Sequence, residues 1–128
     1  MADTFNMTSE NNAQVEQGAT YISTITWRNP PAPDGDGLPV DLTGYTARMQ
    51  MRRNVNSTEA LIEMTDANGR LVFDADRTTG KLQMVLSAAD TAALSAPNAV
   101  YDLELISAGG VVTRLLEGAV AISKEVTR

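Results

Sequence analysis

Apolar and polar residues alternate with a period of two along most of the chain from Ala19 onward. Such alternation is typical of a β-strand that buries one side and exposes the other. It is strictest over residues 45–52, where the predicted inward set is Tyr45, Ala47, Met49 and Met51, and the outward set is Thr46, Arg48, Gln50 and Arg52. The same reasoning predicts strands over 19–27, 59–65, 70–74, 81–87, 99–107 and 111–123.

Breaks in the alternation predict one short helix and several turns. Ser87 and Asp90 have the spacing of a capping box, and the alanine-rich residues after them predict a helix over about 88–95. Asn68-Gly69 predicts a tight hairpin turn, and Gly118 predicts a bulge or bend in the last strand. Prolines in 28–39 predict a long loop that projects from the sheet.

These elements predict an all-β fold. About seven short strands and one short helix favour an Ig-like antiparallel β-sandwich over residues 19–128, although the Cys-Trp-Cys core of antibody domains is absent. Residues 1–18 are polar and cannot bury enough surface to order themselves alone. We expect them to form a flexible arm, or to add a strand to their own or a neighbouring subunit's sheet through the segment containing Phe5 and Met7.

The missing residue types narrow the chemistry. The 128 residues contain neither cysteine nor histidine, which removes thiolate nucleophiles, disulfides, the usual general base and the commonest zinc ligands. We therefore expect no enzymatic activity, no cofactor and no small-molecule substrate. A net charge of −6 argues against nucleic-acid binding, and no apolar run approaches the roughly 20 residues that span a membrane. The N-terminus lacks a secretion signal, so we expect synthesis and use without such export.

Three stretches carry candidate sites. Asp41-Leu42-Thr43-Gly44 is one residue longer than the Asp-Thr-Gly of aspartic proteases and has no second copy, so we expect a turn in which Asp41 and Thr43 bond local amides and Gly44 takes a turn conformation. The Asp-Gly-Asp-Gly of residues 34–37 and the Asp-x-Asp of 74–76 lack further calcium ligands. Arg48, Gln50, Arg52 and Arg53 form a basic stripe that is either a solvated face or an interface with an acidic neighbour.

Four stretches of the chain resemble small proteins that tailed bacteriophages and prophages encode, which are generally described as virion or tail-associated structural proteins. They are EQGATYISTITW, PVDLTGYTARMQMR, GKLQMVLSAADTAAL and YDLELISAGGVVTRLLEGAVAISKEVTR. Their order also resembles the N-terminal domain of phage baseplate upper proteins, an Ig-like sandwich that anchors receptor-binding proteins to the particle. The resemblance covers about residues 16–128, and DLTGYTARMQ and YDLEL…TRLLEG are its most specific parts.

The resemblance implies a non-enzymatic virion protein and supplies no catalytic residues to transfer. Baseplate upper proteins continue into a long C-terminal region, whereas this chain ends at Arg128, so we expect a stand-alone tail, collar or baseplate adaptor. Its expected partners are other phage structural proteins and further copies of itself in a symmetric array. A capsid decoration (cement) protein is the alternative. From another class, a carbohydrate- or host-surface-binding fibre module would need Trp27, Tyr21, Tyr45 or Tyr101 as a stacking platform.

Overall fold

The computed structural model describes residues 13–29 and 37–126, and in these ranges eight strands form two sheets. The strands are β1 (Ala13–Glu16), β2 (Tyr21–Thr26), β3 (Thr46–Arg52), β4 (Ile62–Thr65), β5 (Leu71–Phe73), β6 (Lys81–Leu86), β7 (Asn98–Ile106) and β8 (Val112–Ser123). One sheet has the order β1-β8-β7-β3-β4 and the other the order β2-β6-β5. A short 3-10 turn, Arg77–Thr79, precedes β6, and a single helix, α1 (Ala88–Ala92), follows it.

The strand order is that of an Ig-like sandwich. β2, β6 and β5 correspond to the B, E and D strands, and β8, β7, β3 and β4 correspond to the G, F, C and C′ strands of the variable type. The predicted all-β sandwich is therefore confirmed. All neighbouring strands are antiparallel except β1 and β8, which are parallel. No helix within the described ranges is long and apolar enough to cross a membrane.

The core lies between the two sheets. The inward set predicted for β3 is largely confirmed, because Ala47, Met49 and Met51 are buried and Tyr45 is half-buried. The other sheet contributes Ile25 from β2 and the alternating leucines and methionine of β6. These residues hold the sheets together because each removes apolar surface from water.

The sandwich begins earlier in the chain than predicted. β1 falls inside residues 1–18, which the sequence predicts to be an arm, and it pairs in register with β8 from Ala13↔Val120 to Glu16↔Ser123. Val15 is fully buried, so one apolar side chain and a ladder of backbone hydrogen bonds order this otherwise polar stretch. Phe5 and Met7 lie outside the described residues.

Asn68-Gly69 does not close a hairpin, contrary to the prediction. Gly69 has the expected positive φ of 81°, but β4 and β5 belong to different sheets, so the turn crosses from one sheet to the other. The side chain of Asn68 accepts from the Thr65 backbone N–H and donates to the Glu63 carbonyl, each at 3.0 Å. Arg70 Nη1 also donates to the Glu63 carbonyl at 3.0 Å. The crossing turn therefore caps the outer edge of β4.

The irregularity in the last strand is at Leu115, not at Gly118. Leu103 pairs with Leu116 while Glu104 pairs with Arg114, which leaves Leu115 as the extra residue of a β-bulge. Both Leu115 and Leu116 are buried, so the bulge turns two successive leucines toward the core. Gly118 is regularly paired opposite the buried ring of Tyr101.

Helix α1 has the predicted capping box but ends at Ala92, short of the predicted 95. Ser87 Oγ accepts from the Asp90 N–H at 3.0 Å, and the Asp90 carboxylate accepts from the Ser87 N–H at 3.1 Å. Asp90 also accepts from Arg70 Nη2 at 2.8 Å and Nε at 3.2 Å, which joins the helix to the start of β5. The Arg70 hydrogen bonds, followed by the Ser87 bond, lower the pKa of Asp90 from 3.8 to about 2.

The first testable prediction concerns this carboxylate. A lowered pKa in the folded state means that ionised Asp90 stabilises the fold above its unfolded pKa of 3.8, and that this stability disappears as pH falls through about 2. Because the pair is partly exposed, we expect Asp90→Asn to lower the free energy of unfolding at pH 7 by about 1 kcal/mol. Urea unfolding at pH 7, 4 and 2 checks this. A difference between wild type and variant that stayed constant down to pH 2 would contradict the prediction.

Candidate interaction surface

The Asp41–Gly44 segment is a turn, as predicted. Asp41 Oδ1 accepts from the Thr43 N–H at 2.9 Å and from the Thr43 hydroxyl at 2.6 Å, and these bonds lower the pKa of Asp41. Gly44 has a φ of 82°, and the Tyr45 N–H donates to the Leu42 carbonyl at 3.0 Å to close the turn. The carboxylate is therefore used to shape the backbone at the entry to β3.

Asp76 repeats this arrangement in the 3-10 turn. It accepts from the Thr78 N–H at 3.0 Å and from the Thr78 hydroxyl, and these hydrogen bonds lower its pKa, while the nearby Asp41 raises it. Arg77, the next residue, donates from Nη1 to the carbonyls of Leu42 and Tyr45 at 3.0 and 3.1 Å. The Arg77 side chain thus links the two aspartate turns. The calcium hypothesis for residues 34–37 concerns positions that lie mostly outside the described ranges.

The outward side of the five-stranded sheet carries charged and polar side chains of four strands, which the strand register places side by side. We name it the charged face, and it consists of Arg48, Gln50 and Arg52 of β3, Glu63 of β4, Asp102 and Glu104 of β7, and Arg114 and Glu117 of β8. Rows of side chains run across the strands. Glu104 stands between Arg48 and Arg114, and Asp102 stands between Gln50 and Glu117.

The arginines of this face bond to neighbours on the same chain. Arg48 Nε lies 2.7 Å from Glu104 Oε1, and Arg114 lies 3.5 Å from Asp102 and 3.3 Å from Glu117. Arg52 donates to Gln50 Oε1 at 2.6 Å. The stripe predicted from β3 alone is therefore one strand's part of a mixed surface. That surface holds three arginines and four carboxylates. Such a surface can meet a partner of either sign, or a partner that is itself mixed.

Arg53 does not belong to this face. It follows the end of β3, and its Nη2 lies 3.3 Å from the Ser95 hydroxyl near the end of α1. Successive side chains of a strand point to opposite sides, so Arg53 would not share the outward direction of Arg48, Gln50 and Arg52 even if β3 continued. Of the six predicted interface residues, the structure brings three together and places Arg53 elsewhere, while Phe5 and Met7 are not described.

An open groove of about 690 Å³ runs across one end of the charged face. Its lining includes the apolar Val100 and Gly118 and the charged Arg52, Asp102 and Glu117. Val55, in the loop after β3, stands beside the groove with 81% of its surface exposed. Tyr101 also borders the groove, and burial raises the pKa of its phenol to about 12.

The sequence pattern does not predict that Arg114 and Glu117 belong to this surface. They are three residues apart and would point to opposite sides of a regular strand, but the bulge at Leu115 returns them to the same side. The consecutive leucines at 115 and 116 were the available signal, because two inward residues in succession require such an irregularity.

Comparisons with known proteins add little to this picture. No protein-family model matches the chain, and no curated protein matches it. Among solved structures, a mutant of the SrpA adhesin from Streptococcus sanguinis is similar with a TM-score of 0.45 and 7% identity, over 98% of this chain and 60% of the adhesin chain. This chain thus spans less than two-thirds of the adhesin chain. A likeness at this level carries no argument about function.

Proposed function

We propose that the chain is a non-enzymatic structural protein of a bacteriophage particle, an adaptor of the tail, collar or baseplate that self-associates and docks other particle components. The observation that carries the docking role is the charged face, a sheet surface of mixed charge on which Glu104 lies between Arg48 and Arg114 across neighbouring strands. Each arginine there is partly exposed and can exchange an internal partner for one on another protein. Alternating charge favours one partner and register over others.

The assignment to a phage particle is supported by the resemblance to virion and baseplate proteins over about residues 16–128. That resemblance implies an Ig-like sandwich, and the strand order is that of such a sandwich. A capsid decoration (cement) protein would use the same kind of surface and differs in where it binds.

A carbohydrate-binding role is less well supported by the aromatic residues. Trp27 and Tyr101 are buried, with 6% and 4% of their surfaces exposed, and Tyr21 and Tyr45 are half-buried. Trp27 and Tyr45 pack edge to face at 5.9 Å between ring centroids. These four rings stabilise the sandwich and present no stacking platform within the described residues.

The location of the chain tests the proposal directly. Particles assembled from the genome that encodes it would be purified and reconstructed by electron microscopy. We expect density for the sandwich at the tail, collar or baseplate, with the charged face against a neighbouring protein. Density on the head would favour the decoration alternative, and absence of the chain from intact particles would reject the virion assignment.

A second prediction tests the charged face. We expect Arg48→Glu to reduce the amount of the chain in purified particles about tenfold or more, because it places two carboxylates side by side at Glu104 and removes a cation from the docking surface. Lys81→Glu is the matched control, because it makes the same charge change on the outer side of the other sheet. Quantitative mass spectrometry of particles measures both variants. Equal incorporation of the two would contradict a role for this face.

A further inference from the structure

The edge of β2 is the longest strand edge that no described strand covers in the three-stranded sheet. β2 is six residues long and pairs with β6 on one side. Its sequence, Tyr-Ile-Ser-Thr-Ile-Thr, contains no charge, proline or glycine. Natural sheets usually protect an exposed edge with such residues, with bulges or with covering groups. The edge of β2 has the composition of a strand that accepts another strand.

The pattern of hydrogen bonds between β2 and β6 shows which backbone groups of β2 face this edge. The Trp27 N–H donates to the Gly80 carbonyl at 2.8 Å, and Ile25 is registered with Leu82. In an antiparallel pair every second residue bonds the partner, so the odd-numbered residues of β2 bond β6. The backbone groups of Ile22, Thr24 and Thr26 therefore point away from β6.

The edge of β4, one of the two four-residue edge strands of the five-stranded sheet, is treated differently. In β4, the Glu63 carbonyl and the Thr65 N–H already bond the side chains of Asn68 and Arg70. β5 has three residues, too few for an extended ladder. Among the described residues, side chains cap the edge of β4 and none caps the edge of β2, which makes β2 the candidate for pairing with another strand.

We propose that β2 pairs antiparallel with β2 of a second copy about a two-fold axis at Thr24. This register places Thr24 opposite Thr24 and Ile22 opposite Thr26. The edge-facing backbone groups of all three residues in each copy then bond the other copy. About six backbone hydrogen bonds would form, and the two three-stranded sheets would become one six-stranded sheet. Ile22, which is 58% exposed, would gain a neighbour across the new ladder.

The charges at the two ends of the ladder favour a second copy as the occupant. Two chains of net charge −6 repel one another, but β2 itself brings no like charges together. The same register continues to Arg28 of one copy opposite Thr20 of the other. Thr20 shares a shallow groove with the exposed Glu16. Arg28 Nη1 donates to the Gly37 carbonyl at 3.2 Å in the single chain, and at each end of the new ladder it would exchange this bond for the nearby carboxylate, a contact repeated by symmetry.

This pairing deepens the proposed function, since it assigns the self-association to a particular strand. It depends on the proposed function for its role in a particle, but its geometry does not involve the charged face. A test on the isolated full chain therefore separates the two. If the isolated chain does not form the dimer, the Arg48 docking test can still succeed. If the docking test fails, the isolated chain can still form the dimer.

Disulfide trapping tests the register, because the wild-type chain contains no cysteine. Directly opposed residues that exchange hydrogen bonds have Cα atoms about 5.5 Å apart, within the range that a disulfide spans. We expect the Thr24→Cys full chain to form a covalent dimer rapidly under mild oxidation. Ile22→Cys is the matched control, because its two copies would lie roughly 14 Å apart along the strands. Cross-linking of Thr24→Cys that is no faster than that of Ile22→Cys would overturn the proposal. Coverage of this edge by residues 1–12 of the same chain would give that result.

Sedimentation of the full chain gives an independent measurement. We expect wild type to show a concentration-dependent dimer, and Thr24→Pro to lose it, because proline removes an outward N–H without breaking the ladder to β6. Thr24→Lys is a second variant that places two like charges opposite each other, and it should also be monomeric. Thermal unfolding would verify that each variant folds. A monomeric wild type, or dimers that persist in the folded variants, would overturn the proposal.

Discussion

Gly80→Ala is expected to lower the free energy of unfolding by about 3 kcal/mol or more. Gly80 has a φ of 71°, which disfavours any residue with a Cβ. A Cβ at this position would lie 2.5 Å from the Trp27 carbonyl oxygen and 3.1 Å from that of Val40. Both are backbone atoms, so the overlap cannot be relieved by rotating a side chain. Relief requires separating β2 from the start of β6.

Gly69→Ala is the control for the backbone conformation alone. Gly69 has a φ of 81°, close to that of Gly80, but a Cβ there would meet nothing within 4 Å. We expect a loss of about 1 kcal/mol, the cost of the left-handed conformation. Urea unfolding followed by the fluorescence of Trp27 and by circular dichroism would measure both variants. Equal losses would show that the contact with Trp27 and Val40 does not decide the effect.

Thr91→Val is expected to cost about 2–3 kcal/mol, although the two side chains have nearly the same shape. Thr91 is fully buried in α1. Its hydroxyl accepts from the Gly18 N–H at 2.9 Å and donates to the Ala19 carbonyl at 2.9 Å, so it fastens the connection between β1 and β2 to the helix. Valine would leave both backbone groups without this partner.

Thr91→Ser separates the hydroxyl from the methyl group. Serine keeps the hydrogen bonds and removes one methyl, so we expect a loss of about 1 kcal/mol. Chemical unfolding of the two variants under the same conditions supplies the comparison. Hydrogen exchange at the Gly18 amide should accelerate in Thr91→Val and change little in Thr91→Ser. A larger loss for serine than for valine would mean that packing, not hydrogen bonding, holds this junction.

The parts of the fold that depend on local pattern could be predicted from sequence. The alternation in β3 identifies its buried methionines and the outward Arg48, because period two relates neighbouring residues to opposite sides of a sheet. The turn at Asp41–Gly44 is likewise a matter of adjacent residues. Ser87 and Asp90 form the capping box that their spacing indicates.

Features that depend on distant pairing could not be predicted in the same way. β1 contains a single fully buried residue, Val15, and is ordered by β8 about a hundred residues later. The Asn68-Gly69 turn has the chemistry of a hairpin, but the destination of β5 in the other sheet is a property of the whole sandwich. Arg114 joins the charged face because a bulge shifts the phase of β8. In each case a partner strand, absent from the local pattern, decides the outcome.

The parallel pairing of β1 with β8 also has a mechanical consequence. These are the first and last strands of the described sandwich, and they lie side by side pointing in the same direction. A pull on the chain before Ala13 and after Ser123 would slide one strand along the other. All the hydrogen bonds between them would then carry the force together, whereas an antiparallel pair pulled from one end opens bond by bond. A force applied between these two ends of the sandwich therefore acts along its stiffest direction.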